Sequence, residues 1–296
     1  MTSTAIKPPQ TMLRLAGKAI GDYAMIRSGD RILLGLSGGK DSFSLLHTLL
    51  HMQSKSPVKF ELAAATVDPQ SPEYDPSPLK AYMAELGVPY FYQSYPVLEL
   101  AKQKMGKASF CAFCSRMRRG MLYGAARREG CNVLALAQHL DDLAETFILS
   151  AFFGGKLRTM QAHYVNDAGD LRIIRPFIYV RERQTAAFAK NAGLPVIPEN
   201  CPACFAMPMQ RWQTKQKLAQ FEAENFRLFP NLLSAMRPLL GDAPPEQERP
   251  VDTLAAGPLA EDGAKARSPQ MAGFAGNVSA RPERSSRPRL VKAKAA

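Results

Sequence analysis

Residues 31–52, RILLGLSGGKDSFSLLHTLLHM, constrain the fold more than any other stretch of this 296-residue chain. RILLGL at 31–36 is a short apolar run closed by Gly and Ser, the pattern of a strand buried on both faces of a parallel sheet. DSFSLLHTLLHM has helical periodicity instead. Between strand and helix, Gly38 and Gly39 let the backbone bend tightly and approach a ligand, and the amides opening the helix face an anion. Lys40 supplies a point charge for phosphate oxygens, and Asp41 can help hold magnesium or simply complement the helix start.

The alternation continues along the chain. VKFELAAATV at 58–67 is a second strand, and SPLKAYMAELG is a helix that stops at Gly87. VPYFYQSY is a third strand, CAFCSRMRRGMLYGAARREG a helix, NVLALA at 132–137 a fourth strand, and DDLAETFILSAFF another helix. Residues 171–179 and 181–192 prolong the pattern, and 194–208 is a Pro- and Cys-rich loop. QRWQTKQKLAQFEAENFRLF is predicted as one long helix, and residues 11–27 as another with Leu13, Leu15, Ile20 and Met25 facing inward. The expectation is an α/β fold with a doubly wound, mostly parallel sheet of Rossmann-like type. It divides into an N-terminal helical segment at 1–27, a nucleotide domain at 28–195, a Cys-containing loop and helix at 196–240, and a tail at 241–296. The tail is rich in Ala, Pro, Gly, Ser and Arg and is expected to be disordered and basic at its end.

Charge narrows the partner. The formal charge is +12, of which the tail carries only +2, so the body is strongly basic and suited to a polyanion such as nucleic acid. No run of 18 apolar residues suggests a membrane span, and MTSTAIKPPQTMLRLAGKAI lacks a secretory apolar core, so a cytoplasmic protein is expected. Five cysteines without an export signal point to metal or redox chemistry rather than disulfides.

The glycine loop is not a Walker A motif: only three residues separate Gly35 from Gly39, and Asp follows Lys where Ser or Thr is needed. Ser-Gly-Gly-Lys-Asp-Ser resembles instead the PP-loop of the N-type ATP pyrophosphatases, which split ATP between its α and β phosphates and adenylate a substrate carbonyl. That makes Ser37, Gly38, Gly39, Lys40, Asp41 and Ser42 the candidate ATP site. QHLDDLAET at 138–146 opens a helix at the same sheet edge, placing Asp141 and Asp142 toward the phosphates; the plainer reading is that Asp141 caps its helix. Asp68, ending the second strand, is a candidate adenosine contact.

Four cysteines form two pairs, Cys111/Cys114 and Cys201/Cys204, separated by 86 residues, far beyond the spacing of a zinc ribbon. A long-range four-thiolate zinc site stays open. Cys131 begins a strand and reads as core. The first pair opens a helix, whose amides stabilise thiolates, and Arg116, Arg118 and Arg119 extend the positive field. Zinc does not need such a field, whereas a thiolate-ligated iron–sulfur cluster and RNA are both anions.

From about residue 12 to 240 the chain resembles the tRNA 2-thiocytidine synthetase (TtcA) family, through GKAIGDYAMIRSGDRILLGLSGGKDS, CAFCSRMRRGMLY, FFGGKLRTM, IRPFIYVRE, PVIP and a Cys loop ending MQR. The resemblance implies a [4Fe–4S] cluster, ATP with Mg2+, and thiolation of an anticodon-loop cytidine, expected at position 32 of the tRNA. It also implies a homodimer and a cysteine desulfurase as sulfur donor. Carried over by position, Cys111 and Cys114 are cluster ligands, and the third is Cys204 with Cys201 as alternate. Lys40, Asp41, Asp141 and Asp142 are the catalytic candidates; Arg116, Arg118, Arg119 and Lys156 are the RNA contacts. Two stretches depart from the family: Ala-Gln-His-Leu-Asp-Asp stands where Gly-His-His-x-Asp-Asp is usual, and FAMPMQR follows the last cysteine. His-Leu-Asp-Asp-x-Ala-Glu-Thr alone resembles lysidine synthetase, which leaves a tRNA amidine or amide ligase, or a thiolase for another base, as alternatives.

Overall fold

A computed structural model describes residues 5–70, 74–97, 99–100, 110–197 and 210–241, with the backbone alone for 110–112. All belong to one of two units, Met1–Ala256; the other, Gly257–Ala296, and with it most of the expected tail, lies outside the described residues. The elements in chain order are α1 (Gln10–Asp22), β1 (Asp30–Gly35), α2 (Lys40–Lys55), β2 (Phe60–Asp68), α3 (Ser77–Leu86), β3 (Tyr90–Ser94) and α4 (Phe110–Arg128). There follow β4 (Val133–Ala135), α5 (Leu140–Gly154), β5 (His163–Val165), β6 (Arg172–Ile174), α6 (Glu182–Asn191), α7 (Gln210–Glu224) and α8 (Leu228–Met236).

The strands form one six-stranded sheet in the order β3-β2-β1-β4-β6-β5, parallel except for β5. Its central strands are rich in apolar residues on both sides because both faces are covered. Ile32, Leu34, Val133, Ala135 and Ile174 face a large core shared with α1, α2, α5 and α6. Leu33, Ala65, Leu134 and Ile173 face a smaller core closed by Ala125 and Ala126 of α4. The doubly wound arrangement expected from the alternation is the one found. Its parallel strands all end at one edge, at Gly35, Asp68, Ser94, Ala135 and Ile174.

Three elements differ from expectation. The first helix stops at Asp22, not near 27: Ala24 takes φ +43° and the Met25 amide returns to the Ile20 carbonyl at 3.0 Å, so Met25 is buried from a turn. The long C-terminal helix breaks, ending α7 at Glu224, where the Asn225 side chain accepts from the Arg227 amide at 3.0 Å. Antiparallel β5, pairing Tyr164 with Ile173, has no counterpart in the sequence pattern; at three residues it carries no readable periodicity. Gly87 does close α3, in a left-handed conformation at φ +66°.

Candidate active site

β1 delivers the chain to the carboxyl edge, and two bonds to β2 fix where it leaves: the Leu36 amide to the Ala65 carbonyl at 2.9 Å, and Thr66 Oγ1 to the Leu36 carbonyl at 2.6 Å. The loop then folds on itself. Ser37 Oγ accepts from the Gly39 amide and donates to Ser42 Oγ, both at 3.2 Å, and Ser42 Oγ donates to the Gly39 carbonyl at 2.9 Å. Gly38 is at φ +87°, and a Cβ there would come within 3.0 Å of Ile197 Cδ1, while the Ile197 amide bonds the Gly38 carbonyl at 2.9 Å. Only glycine fits such a position without strain. No side chain caps α2 at Gly39, so the amides that follow keep the capacity to bind an anion.

Lys40 lies 3.0 Å from Asp41 and 3.0 Å from Glu182. Burial alone would lower its pKa, but these two carboxylates hold it above the usual lysine value. Glu182 answers in kind: burial opposes its charge, yet Lys215 and Lys40 bring it down to about 2. Asp41 also accepts from Thr185 Oγ1, which ties α2 to α6.

His139, Asp141 and Asp142 divide the work at the start of α5. His139, not Asp141, is the cap: its Nδ1 accepts from the Asp142 amide at 3.3 Å while Asp142 accepts from the His139 amide at 3.2 Å. The acceptor role of Nδ1 puts the ring proton on Nε2, 3.7 Å from Asp41. Asp141 is engaged through both oxygens, by Arg181 at 3.0–3.2 Å and by the Glu182 amide at 2.7 Å. Arg181 also grips Glu222 at 2.6 Å and 2.8 Å and stacks on Phe229, 3.3 Å from the ring centroid. One turn on, burial pushes the Glu145 carboxyl up to about 7, with Arg211 3.4 Å away.

The structure thus gathers Ser37 to Ser42, Asp141 and Asp142 at one edge. Asp68 joins them as the buried end of β2, accepting from the Gln70 amide at 2.7 Å and from the Tyr92 hydroxyl. The cysteine helix reaches the same edge, because α4 feeds the parallel strand β4 and so starts over the strand ends. Cys114 is half-buried there, as are Arg118 and Arg119, while Arg116 is exposed. Arg118 acts electrostatically on Tyr74, whose hydroxyl donates to the Ser37 carbonyl at 3.1 Å. The side chain of Cys111, and all of Cys201 and Cys204, lie outside the described residues. Cys131 is a buried free thiol, as expected of core. Lys156 stands apart, exposed just beyond the far end of the 15-residue α5, about 22 Å along its axis from Leu140. Sequence patterns do not single out Arg181, Glu182, Thr185, Arg211 or Lys215. Only the Arg-Glu pair closing IRPFIYVRE hints at them.

Strand, glycine turn and open helix start define the site of a PP-loop nucleotide-binding protein, and the PP-loop domain family matches residues 11–201. A tRNA-cytidine(32) 2-sulfurtransferase of Geobacter sulfurreducens is 38% identical over 221 residues, 74% of this chain and 86% of that protein. One from Syntrophotalea carbinolica is 40% identical over 233 residues, covering 78% and 88%. Among solved structures, the U34-tRNA thiolase NcsA from Methanococcus maripaludis with its [4Fe-4S] cluster shares the fold at TM-score 0.65 and 20% identity, over 78% of each chain. The chain belongs to the tRNA-cytidine(32) 2-sulfurtransferase family of PP-loop proteins.

Proposed function

We propose that this protein is an ATP-dependent tRNA thiolase that converts cytidine 32 of the anticodon loop to 2-thiocytidine. The reading rests above all on relatives of that named activity at 38% and 40% identity, of whose lengths the chain covers 86% and 88%. The PP-loop and the Cys-x-x-Cys helix at one sheet edge support it.

In this mechanism the triphosphate draws Lys40 from Asp41 and Glu182 and occupies the open amides at the start of α2. Cytosine O2 attacks the α phosphorus and pyrophosphate leaves. Sulfur then bonds to C2, the C2–O bond to AMP breaks, and the sulfhydryl proton departs. Among the described residues no three His, Cys, Asp or Glu side chains converge on a metal site. Magnesium binds mainly through phosphate oxygens with one or two carboxylates. Asp41 and Asp142 keep 24% and 26% of their side chains exposed and are the carboxylates to reach it, while Asp141 holds the start of α6, and hence Glu182, against the loop.

The cysteine helix fits a [4Fe–4S] cluster by donor chemistry: two thiols one turn apart at a helix start, beside arginines that balance an anionic group. Cys111 and Cys114 would be two ligands, with Cys204 or Cys201 as the third. Held by three thiolates of this chain, the cluster would supply the sulfur that replaces the cytosine oxygen. Arg116, Arg118, Arg119 and Lys156 would meet the tRNA backbone. On the same reading a cysteine desulfurase supplies the sulfur, the protein is a homodimer, and it works in the cytoplasm. No helix among the described residues is long and apolar enough to cross a membrane.

Nucleoside analysis of tRNA from a deletion strain tests the substrate: 2-thiocytidine should vanish and return on complementation. Its persistence would refute the proposal. For the cluster, Cys114→Ala should lose iron and thiolation while still binding ATP, and colourless wild-type protein with stoichiometric zinc would sink that part.

A further inference from the structure

Arg175, just past the end of β6, is 3% exposed, and among the described residues no carboxylate pairs with it. It is held instead by neutral groups. Nη1 donates to the Gln161 carbonyl, the guanidinium lies 5.4 Å from the Tyr164 ring centroid, and Nε donates to Gln138 Oε1 at 2.9 Å. A guanidinium offers donors only, so Gln138 must turn its amide oxygen toward Arg175. Its amide nitrogen has no hydrogen-bond partner among the described residues and is not among the buried unpaired atoms. Gln138 is a half-buried side chain whose donor is set by a rigid neighbour and left available.

Its place in the fold gives that donor a use. Gln138 immediately precedes His139, whose ring faces Asp41 of the PP-loop. On its other side Arg175 is electrostatically linked to Arg119 and Tyr123 of the cysteine helix. A base that is activated by ATP and then takes sulfur has to sit between these two elements. Cytosine presents an unprotonated N3, an acceptor, beside C2; uracil presents N3–H, a donor.

We propose that Gln138, oriented by Arg175, selects the base by donating its amide N–H to N3 of cytosine and rejecting uracil, whose N3–H would face it donor to donor. The inference rests on the thiolase reading. A site built around a buried hydrogen bond rejects a mismatched partner far more strongly than an apolar pocket does.

The test is single-turnover thiolation by the iron-loaded protein, with ATP and sulfide, of two tRNA transcripts that differ only in carrying C or U at position 32. Wild type should thiolate the C transcript and discriminate strongly against U. In Gln138→Glu one carboxylate oxygen keeps Arg175 and the other becomes an acceptor. The rate on C should fall about ten- to hundredfold and the C-over-U preference should collapse or invert. Gln138→Met, uncharged and of similar size, should lose rate on C without gaining any on U. Iron content and ATP affinity should match wild type in both variants. A merely structural role would slow both transcripts together, so an unchanged C-over-U ratio in both variants overturns the proposal, as does a wild type that thiolates both equally. If wild type thiolates neither transcript although it binds iron and ATP, the thiolase reading falls and takes this inference with it.

Discussion

The two sides of the carboxyl edge handle charge in opposite ways. On the PP-loop side nearly every charge has its opposite close by: Lys40 with Asp41 and Glu182, Lys215 with Glu182, Arg181 with Asp141 and Glu222, and Arg211 with Asp142 and Glu145. On the side of α4, Arg116, Arg118, Arg119 and Arg175 have no carboxylate partner among the described residues, and tyrosines neighbour Arg118, Arg119 and Arg175. Burial takes Tyr123 up to about 12, whereas its neighbour Tyr164 is drawn below the usual tyrosine value despite burial, by its bond with Tyr123 and the charge of Arg175. On the proposed reading the paired network exchanges partners when phosphate arrives, Lys40 leaving Asp41 and Glu182 as it gains phosphate oxygens. Arg175 is buried, but Arg116 is exposed and Arg118 and Arg119 are half-buried, open to a counter-charge from a ligand, and RNA is the ligand proposed.

The largest effect should come from forcing the PP-loop side apart. Gly38→Val puts a branched side chain at φ +87° and against Ile197. The left-handed conformation alone costs about 1–2 kcal/mol. Displacing the loop by about 1 Å is enough to lose about a hundredfold in rate. Thiolation should therefore fall by at least that factor, with ATP binding abolished and tRNA affinity kept. A Gly38→Val protein that binds ATP like wild type would mean that the loop does not form the phosphate cradle.

The contrast between the two sides is only half legible in the sequence. Ser37 to Ser42 can be read because strand, turn and helix follow one another within 22 residues. The parallel sheet and the shared edge follow from the alternation of elements. The cap of α5 is less accessible: Asp141 is the residue that local rules favour, but its partner Arg181 lies 40 residues away, and only the fold brings them together. Local rules miss Glu182 and Lys215 for the same reason, since each is an ordinary surface residue until α6 and α7 meet the loop. The break at Asn225 is marked by local bonds, its side chain accepting from the Arg227 amide and its carbonyl from the Leu228 amide, within a stretch of otherwise good helical pattern. Cys201 and Cys204, the two residues proposed for the third ligand, lie outside the described residues, and the choice between them rests on the resemblance alone.

The cationic side should respond to salt rather than to ATP. Replacing Arg118 and Arg119 together by Ala should weaken tRNA binding about tenfold at low salt. It should also flatten the log–log salt dependence by about two, one for each phosphate that the arginines no longer neutralise. ATP affinity should stay at the wild-type value, because neither arginine touches the paired network. Filter binding across a salt series separates the outcomes, and an unaltered slope would remove RNA as the counter-charge of this surface.

The smallest effect concerns the one acid in the paired network that is poorly compensated. Burial raises Glu145 to about 7 from an ordinary value near 4.5, and Asp142 and Glu182 add to the rise while Arg211 and Lys215 oppose it. The folded protein therefore holds a proton that the unfolded chain has released between those two values. Stability contributed by this group is full below about pH 4.5 and is lost as pH rises through about 7. Glu145→Gln removes the ionisation and keeps the shape, so above pH 7 the variant should be the more stable by about 1–2 kcal/mol, after allowance for partial solvent screening. At pH 4.5 the two proteins should unfold at nearly the same denaturant concentration. A constant gap across the range would assign the difference to altered packing against Arg211, and a gap of opposite sign at high pH would show that Arg211 compensates the carboxylate after all.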